Sequence, residues 1–148
     1  MEKIFCRNCQ YDDNDVGSVD ELIPILPGLK KQSCTFKIYV DGAYGGFYYP
    51  YTNTSNELNF ANPSISEITI DAHKMCQAPY GTGIFLTRKG MIAHSGTSAK
   101  YGKGNNFTLI GSRSAANAIA VWMILSKHGP YRWIEKTFFY KKKNSLVM

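Results

Sequence analysis

The sequence predicts an α/β fold, and three observations predict it. Short runs rich in β-branched and aromatic residues recur at Phe36-Lys37-Ile38-Tyr39-Val40, Glu67-Ile68-Thr69-Ile70-Asp71 and Gly83-Ile84-Phe85-Leu86-Thr87, the composition of strands. A helical stretch follows from Ser112 to Lys127. Strands and helices that alternate along one chain belong to α/β architectures. With 148 residues, 44% apolar and 19% charged, the chain has the size and composition of one folded domain.

Each element has its own signal. Lys3-Ile4-Phe5-Cys6 reads as a short strand, and Asp12-Asp13-Asn14-Asp15 is loop chemistry. Ser18-Val19-Asp20-Glu21 has the pattern of a capping box, in which the serine hydroxyl accepts from an exposed helical N–H and the glutamate reaches back. The helix it opens is expected to be short or kinked, because Pro24 and Pro27 lack a donor and crowd the preceding turn, and Gly28 is expected to close it. The strand ending at Val40 runs into the glycine-rich Asp41-Gly42-Ala43-Tyr44-Gly45-Gly46. From Phe47 to Ser64 the chain is aromatic and asparagine-rich with no clear period. The next strand stops at Ala72-His73-Lys74, and the one after it at Arg88-Lys89-Gly90. Ser95 to Asn106 is polar and glycine-rich, which predicts an exposed loop. Ala118 to Leu125 is apolar on every face, which predicts a buried helix. His128, Gly129 and Pro130 form its stop. Tyr131 to Lys143 reads as a second helix with Trp133, Phe138 and Phe139 on an aromatic face. There is no internal repeat.

Composition narrows the function. No apolar run reaches the ~18 residues of a membrane span, and Met1-Glu2-Lys3-Ile4 lacks the apolar core of a secretion signal. A cytoplasmic location with no membrane partner is therefore expected. The charge of +6 is a moderate basic surplus, and Lys141-Lys142-Lys143 supplies three of those charges as a solvated tail. This charge and the ten tyrosines are what a basic nucleic-acid-binding module would need. The aromatic cluster Phe47-Tyr48-Tyr49-Pro50-Tyr51 carries no interleaved cations, so no nucleic-acid partner is expected. Of Cys6, Cys9, Cys34 and Cys76 only the first pair is closely spaced, and a single CxxC favours reduced thiols over a metal site. His94 and His128 have no partner at metal spacing, so no metal is expected. Gly96-Thr97-Ser98-Ala99-Lys100-Tyr101-Gly102-Lys103-Gly104 fails as a phosphate-binding Walker loop, with Gly104 where Ser or Thr belongs. It reads instead as an exposed loop, which the family resemblance given below would make a mobile segment on the substrate side.

Two strand ends carry charge that packing does not require. Asp41 ends one apolar strand and precedes glycines, and His73 and Lys74 follow another. In open α/β sheets ligands bind beyond the carboxyl ends of the strands. If the two strands are parallel neighbours, a carboxylate, an imidazole and an amine converge on one crevice, where a desolvated lysine becomes a nucleophile. The alternative is that Asp41 caps a turn and Lys74 is a surface lysine.

Four motifs in consistent order decide how these residues are read. Val40-Asp41-Gly42-Ala43-Tyr44-Gly45-Gly46, Asp71-Ala72-His73-Lys74-Met75, Gly81-Thr82-Gly83-Ile84, and Gly111-Ser112-Arg113-Ser114 before the helix bearing Trp122 together resemble the group II pyridoxal-phosphate-dependent amino-acid decarboxylases. The resemblance covers roughly residues 15–135. It implies part of the large domain of a fold-type I pyridoxal phosphate enzyme, with a mostly parallel sheet and packed helices. It further implies that Lys74 forms the Schiff base with pyridoxal 5'-phosphate, and that Asp41 pairs with the pyridinium nitrogen. Ala43 would pack on one ring face and His73 would help hold the phosphate. Gly111 and Ser112 would approach the phosphate of the neighbouring subunit's site in a homodimer, with Arg113 as an anion partner in the same loop. The implied activity is that of a carboxy-lyase of amino-acid metabolism, acting on an amino-acid substrate. Alternatives are another fold-type I lyase or desulfurase, or an inactive fragment that folds only with a partner chain.

Members of that family are several hundred residues long. Residues 1–148 are accordingly expected to form a single partial cofactor-binding domain, with the start of a connecting helix and a basic tail over 130–148. A phosphate-binding loop and an aromatic residue for the other ring face would lie before residue 1, and a small domain after residue 148.

Overall fold

A computed structural model describes residues 3–8, 24, 26–31, 36–47, 49–52, 58–98, 104–107 and 113–145. Four strands, β1 (Lys3–Asn8), β2 (Phe36–Asp41), β3 (Ile65–Asp71) and β4 (Gly83–Thr87), form one sheet in the order β1-β2-β3-β4. The first three are parallel. Lys3 stands opposite Phe36, and Asn8 opposite Asp41. Val40 and Asp41 stand opposite Ile68 and Thr69, after an irregularity between Ile38 and Tyr39. β4 returns antiparallel, with Thr69 opposite Phe85 and Asp71 opposite Gly83. The sheet is thus mostly parallel, and β1 runs two residues beyond the strand read from sequence.

Side chains alternate along each strand, and paired residues share a face. Tyr39, Asp41, Thr69, Asp71 and Phe85 therefore lie on one face, and Ile38, Val40, Ile68, Ile70 and Ile84 on the other. The apolar face carries the core. Ile38, Val40, Ile65 and Ile68 are buried with Leu58, and Leu26 and Tyr49 pack against them. A second cluster, Ala72, Cys76, Ala78 and Trp133, gathers Phe47, Tyr51, Ile84, Val121 and Ile124. These contacts place α1 (Leu26–Lys31), α2 (Tyr49–Thr52) and α3 (Ala115–Ser145) on the apolar face. On the polar face the Tyr39 hydroxyl donates to Thr69 Oγ1 at 2.8 Å, while Phe85 is 52% exposed.

The elements depart from the sequence reading in three places. Gly28 does not end a helix: α1 runs from Leu26 to Lys31 with Pro27 and Gly28 inside its first turn. That turn has no intrahelical use for an N–H, so proline at the second position costs little. The capping box at Ser18 to Glu21 lies outside the described residues. The stretch 95–106 holds a two-residue antiparallel ladder, Thr97–Ser98 against Asn105–Asn106. The helix expected to be buried is not: in α3, Ile119 is 55%, Trp122 67% and Met123 57% exposed. Of the run from Ala118 to Leu125, Val121 and Ile124 pack against the core. The stop at Gly129 is where the sequence puts it: two helices meet within α3 at a kink where Gly129 takes φ 59° and ψ 173° before Pro130.

Arg88 closes the far end of β3 and β4. Its Nε donates to the Ile65 carbonyl at 2.6 Å, and its Nη2 to those of Asn62 (2.7 Å) and Phe60 (3.1 Å). The guanidinium also lies 5.4 Å from the Phe60 ring centroid. One side chain thereby fixes where β3 starts, and the strand in turn fixes where it delivers Asp71.

Candidate active site

β2 and β3 end side by side, and two backbone hydrogen bonds lock their tips. Gly42 N–H donates to the Thr69 carbonyl at 2.8 Å, and Asp71 N–H to that of Ala43 at 3.1 Å. Gly42 permits this approach: a Cβ there would stand 3.0 Å from the Thr69 oxygen. Gly46 has the same role beneath the turn, where a Cβ would stand 2.9 Å from Ile70 Cγ1. Asp41 lies on the same sheet face as Thr69 and hence as Asp71. Its Oδ1 accepts the Ala43 N–H at 3.1 Å, so the carboxylate does cap the turn, and that bond aims it beyond the strand end.

The chain leaves β3 in a tight turn. Lys74 N–H donates to the Asp71 carbonyl at 3.0 Å, and Gln77 N–H to that of Lys74 at 3.1 Å. Gln77 holds φ 60°, a left-handed conformation unusual for a residue with a side chain and one that gathers at functional sites. Lys74 Nζ sits 3.1 Å from Asp71 Oδ2, with the lysine side chain 39% and the aspartate 21% exposed. His73 Nε2 is 3.9 Å from the same oxygen. The imidazole stacks on Tyr80 at a centroid distance of 4.9 Å and an angle of 22°. Its Nδ1 is buried with no hydrogen-bond partner among the described residues. Asn117 of α3 donates from Nδ2 to the carbonyls of Tyr80 (3.4 Å) and Gly81 (3.2 Å), tying the helix to the loop that carries the stacked ring.

Asp41, Ala43, His73 and Lys74 therefore stand at two neighbouring strand tips. Gly111 and Ser112 lie outside the described residues, and Arg113 is exposed just before α3. Asp71 and Tyr80 complete the cluster without having been singled out from sequence. The three-residue spacing from Asp71 to Lys74 was the available signal for the first. Beneath the turn Cys76 is buried, and burial pushes its thiol up against the opposing pull of the Lys136 cation, so it is an inert part of the floor. Among the described residues no three His, Cys, Asp or Glu side chains gather as a metal-ligand group, and no helix is long and apolar enough to cross a membrane.

The arrangement suits an anionic aromatic ligand that carries a carbonyl. A carboxylate can hold a proton on a ring nitrogen, a small side chain admits a flat ring, an amine can meet the carbonyl, and an orphaned imidazole nitrogen awaits a polar partner. No family model matches the chain. It is 49% identical over 121 residues to a tryptophan decarboxylase of Clostridium sporogenes, covering 81% of this chain and 29% of that protein. It is 35% identical over 123 residues to a probable L-tyrosine/L-aspartate decarboxylase of Methanosphaera stadtmanae, covering 78% of this chain and 31% of that one. The chain thus spans about three tenths of the length of these curated relatives. Among solved structures, a sphingosine-1-phosphate lyase of Burkholderia pseudomallei superposes with a TM-score of 0.71 at 21% identity, over 91% of this chain and 32% of that one. A glutamate decarboxylase of Lactobacillus brevis gives 0.70 at 20% identity, over 88% and 31%. At those identities the structural likeness is one of fold.

Proposed function

We propose, for a chain that belongs to the group II pyridoxal-phosphate-dependent amino-acid decarboxylases, that the Asp41–Lys74 crevice is the cofactor end of an amino-acid decarboxylase site. The fold is part of the large domain of a fold-type I enzyme. The observation that supports the reading is that Asp41 and Asp71 share one face at the tips of adjacent parallel strands, with Lys74 Nζ 3.1 Å from Asp71 Oδ2.

When bound, pyridoxal phosphate supplies an aldehyde for amines and a cationic ring that takes up the electron pair released as a carboxylate departs. Lys74 would supply the amine that holds the aldehyde, and the same amine could carry a proton at the strand tip. Asp41 would favour a proton on the ring nitrogen through its negative charge, while the bond from Ala43 N–H holds its carboxylate in one orientation. Ala43 leaves a flat ring room to settle on the turn. His73 offers its orphaned Nδ1 to the phosphate, and the Tyr80 ring keeps the imidazole in plane. The whole protein would release CO2 from an amino acid and leave the corresponding amine. Tryptophan is the first substrate to assay, because the tryptophan decarboxylase shares 49% identity with this chain. A homodimer, with the Gly111-Ser112-Arg113 loop reaching the neighbouring site, is part of the same proposal, as is action in the cytoplasm.

Incubation with pyridoxal phosphate, reduction with borohydride and peptide mapping test the assignment. The pyridoxyl mass is expected on Lys74 in preference to every other lysine, and Lys74→Ala is expected to remove it. Selective labelling of a different lysine would end the assignment.

A further inference from the structure

We propose that Asn117, in the first turn of α3, is a positioning residue for the Lys74 crevice: it holds the Tyr80–Gly81 backbone and, through the Tyr80 ring, sets where His73 stands. The inference deepens the reading of that crevice as the cofactor site and rests on it. Tyr80 stacks on His73 at 4.9 Å, yet it is 89% exposed. A ring with so few packing partners stands where its backbone puts it. The base of its loop is closed by bonds of its own. Ala72 N–H donates to the Thr82 carbonyl at 3.1 Å, Ala78 N–H to that of Ala72 at 2.9 Å, and the Thr82 hydroxyl to that of Pro79 at 2.7 Å. The tip is held from elsewhere: among the described residues, the Tyr80 and Gly81 carbonyls accept from one group, Asn117 Nδ2, at 3.4 and 3.2 Å. An amide nitrogen has two hydrogens to give.

Gly81 is shaped for that contact. It holds φ 84°, and a Cβ there would stand 2.9 Å from Asn117 Nδ2. The amide reaches the backbone because no side chain intervenes. On the helix side, Asn117 N–H donates to the Ser114 carbonyl at 3.2 Å, and α3 is anchored on the core through Val121 and Ile124. The contacts therefore run from a core-anchored helix through one side chain to the loop tip, and from the tip's ring to the imidazole beside Lys74. Without the amide, the tip carbonyls turn to water and the ring leaves His73 for part of the time. A neutral hydrogen bond shifts such an equilibrium by about two- to tenfold.

Asn117→Ala removes both donors and favours the helix, so circular dichroism is expected to be retained. The readout is the His73 ring-proton resonance at one fixed pH, in a chain with only three histidines. The stacked Tyr80 ring displaces that resonance, and Tyr80→Leu supplies its undisplaced position. Asn117→Ala is expected to lose about half or more of the displacement, and Asn117→Gln, which keeps a donor, to retain more of it than Asn117→Ala does. An unmoved His73 resonance in Asn117→Ala, or no difference between the two variants, overturns the proposal. Pyridoxal phosphate is expected to bind Asn117→Ala about two- to tenfold more weakly, while pyridoxal, lacking the phosphate that His73 would meet, binds as before. Equal losses for both ligands would mean general loss of structure and would also overturn it. Should Asn117→Ala unfold, the native chain decides. On warming, the nuclear Overhauser contact between the Asn117 amide and Gly81 Hα must fade together with the His73 displacement, and a displacement that outlasts the contact overturns the proposal. If the resonance responds while pyridoxal phosphate labels a lysine other than Lys74, the decarboxylase reading fails and the hold of Asn117 on Tyr80 and His73 stands.

Discussion

Asp41→Asn separates shape from charge at the strand tip. The amide keeps an acceptor for the Ala43 N–H but cannot hold a proton on a ring nitrogen. A hydrogen bond to a charged group is worth about 1.5–3 kcal/mol, so pyridoxal phosphate is expected to bind roughly tenfold or more weakly in an absorbance titration. Unaltered affinity would mean that this carboxylate does not touch the ring. Asp41 and Lys74 could be singled out at two strand ends, but that pattern equally fits a turn cap and a surface lysine, and only the resemblance of four ordered motifs favours a shared site. Asp71 was not legible, since its spacing from Lys74 becomes a contact only when the chain leaves β3 in the tight turn ending at Gln77. Tyr80 was less legible still. Its ring reaches His73 only because the chain doubles back through the Thr82–Ala72 hydrogen bond and Asn117 clamps the loop from another element.

At the scale of elements, β2, β3 and β4 were readable from β-branched residues, whereas α3 shows what such patterns leave out. Its run from Ala118 to Leu125 records that every face is apolar, not what covers each face. The structure covers one stripe and leaves Trp122 exposed. His128 stands at the end of the helix before the break at Gly129. A helix C-terminus favours a charged histidine, yet burial first, and then the cations Lys136, Lys127 and Arg132, lower its affinity for a proton. The ring packs edge-on against Trp133 at 5.6 Å. The folded chain therefore binds that proton more weakly than the unfolded chain does. The contribution to stability is present above the ordinary histidine value near ~6.5 and is lost as pH falls below it. Thermal melts should show a steeper fall in Tm from neutral to mildly acidic pH for the native chain than for His128→Gln. Parallel slopes would remove His128 as the cause.

Over the whole molecule, the mostly parallel sheet carries its helices on one face among the described residues, and parallel sheets are ordinarily covered on both. Phe85 on the bare face, and Ile119, Trp122, Met123 and Tyr131 along α3, leave large apolar groups in water. Surfaces of that kind drive association. Sedimentation of the 148-residue chain is therefore expected to show a mass that rises with micromolar concentration, and a constant monomer mass would contradict this. The α/β class was legible as a whole because strand and helix signals alternate. The one-sided covering was not, because strand periodicity records which face is apolar and not what packs on it. The parallel pairing carries one more consequence, for kinetics. β1 meets β2, and β2 meets β3, only after roughly thirty intervening residues have been looped out, while β3 and β4 join across a short connection. Loop-closure entropy must be met before either parallel ladder gains a bond. The β3–β4 pair, with the turn that carries Lys74, therefore closes at the least cost among these strands. Asp41 reaches the neighbouring strand tip only when β2 docks on β3.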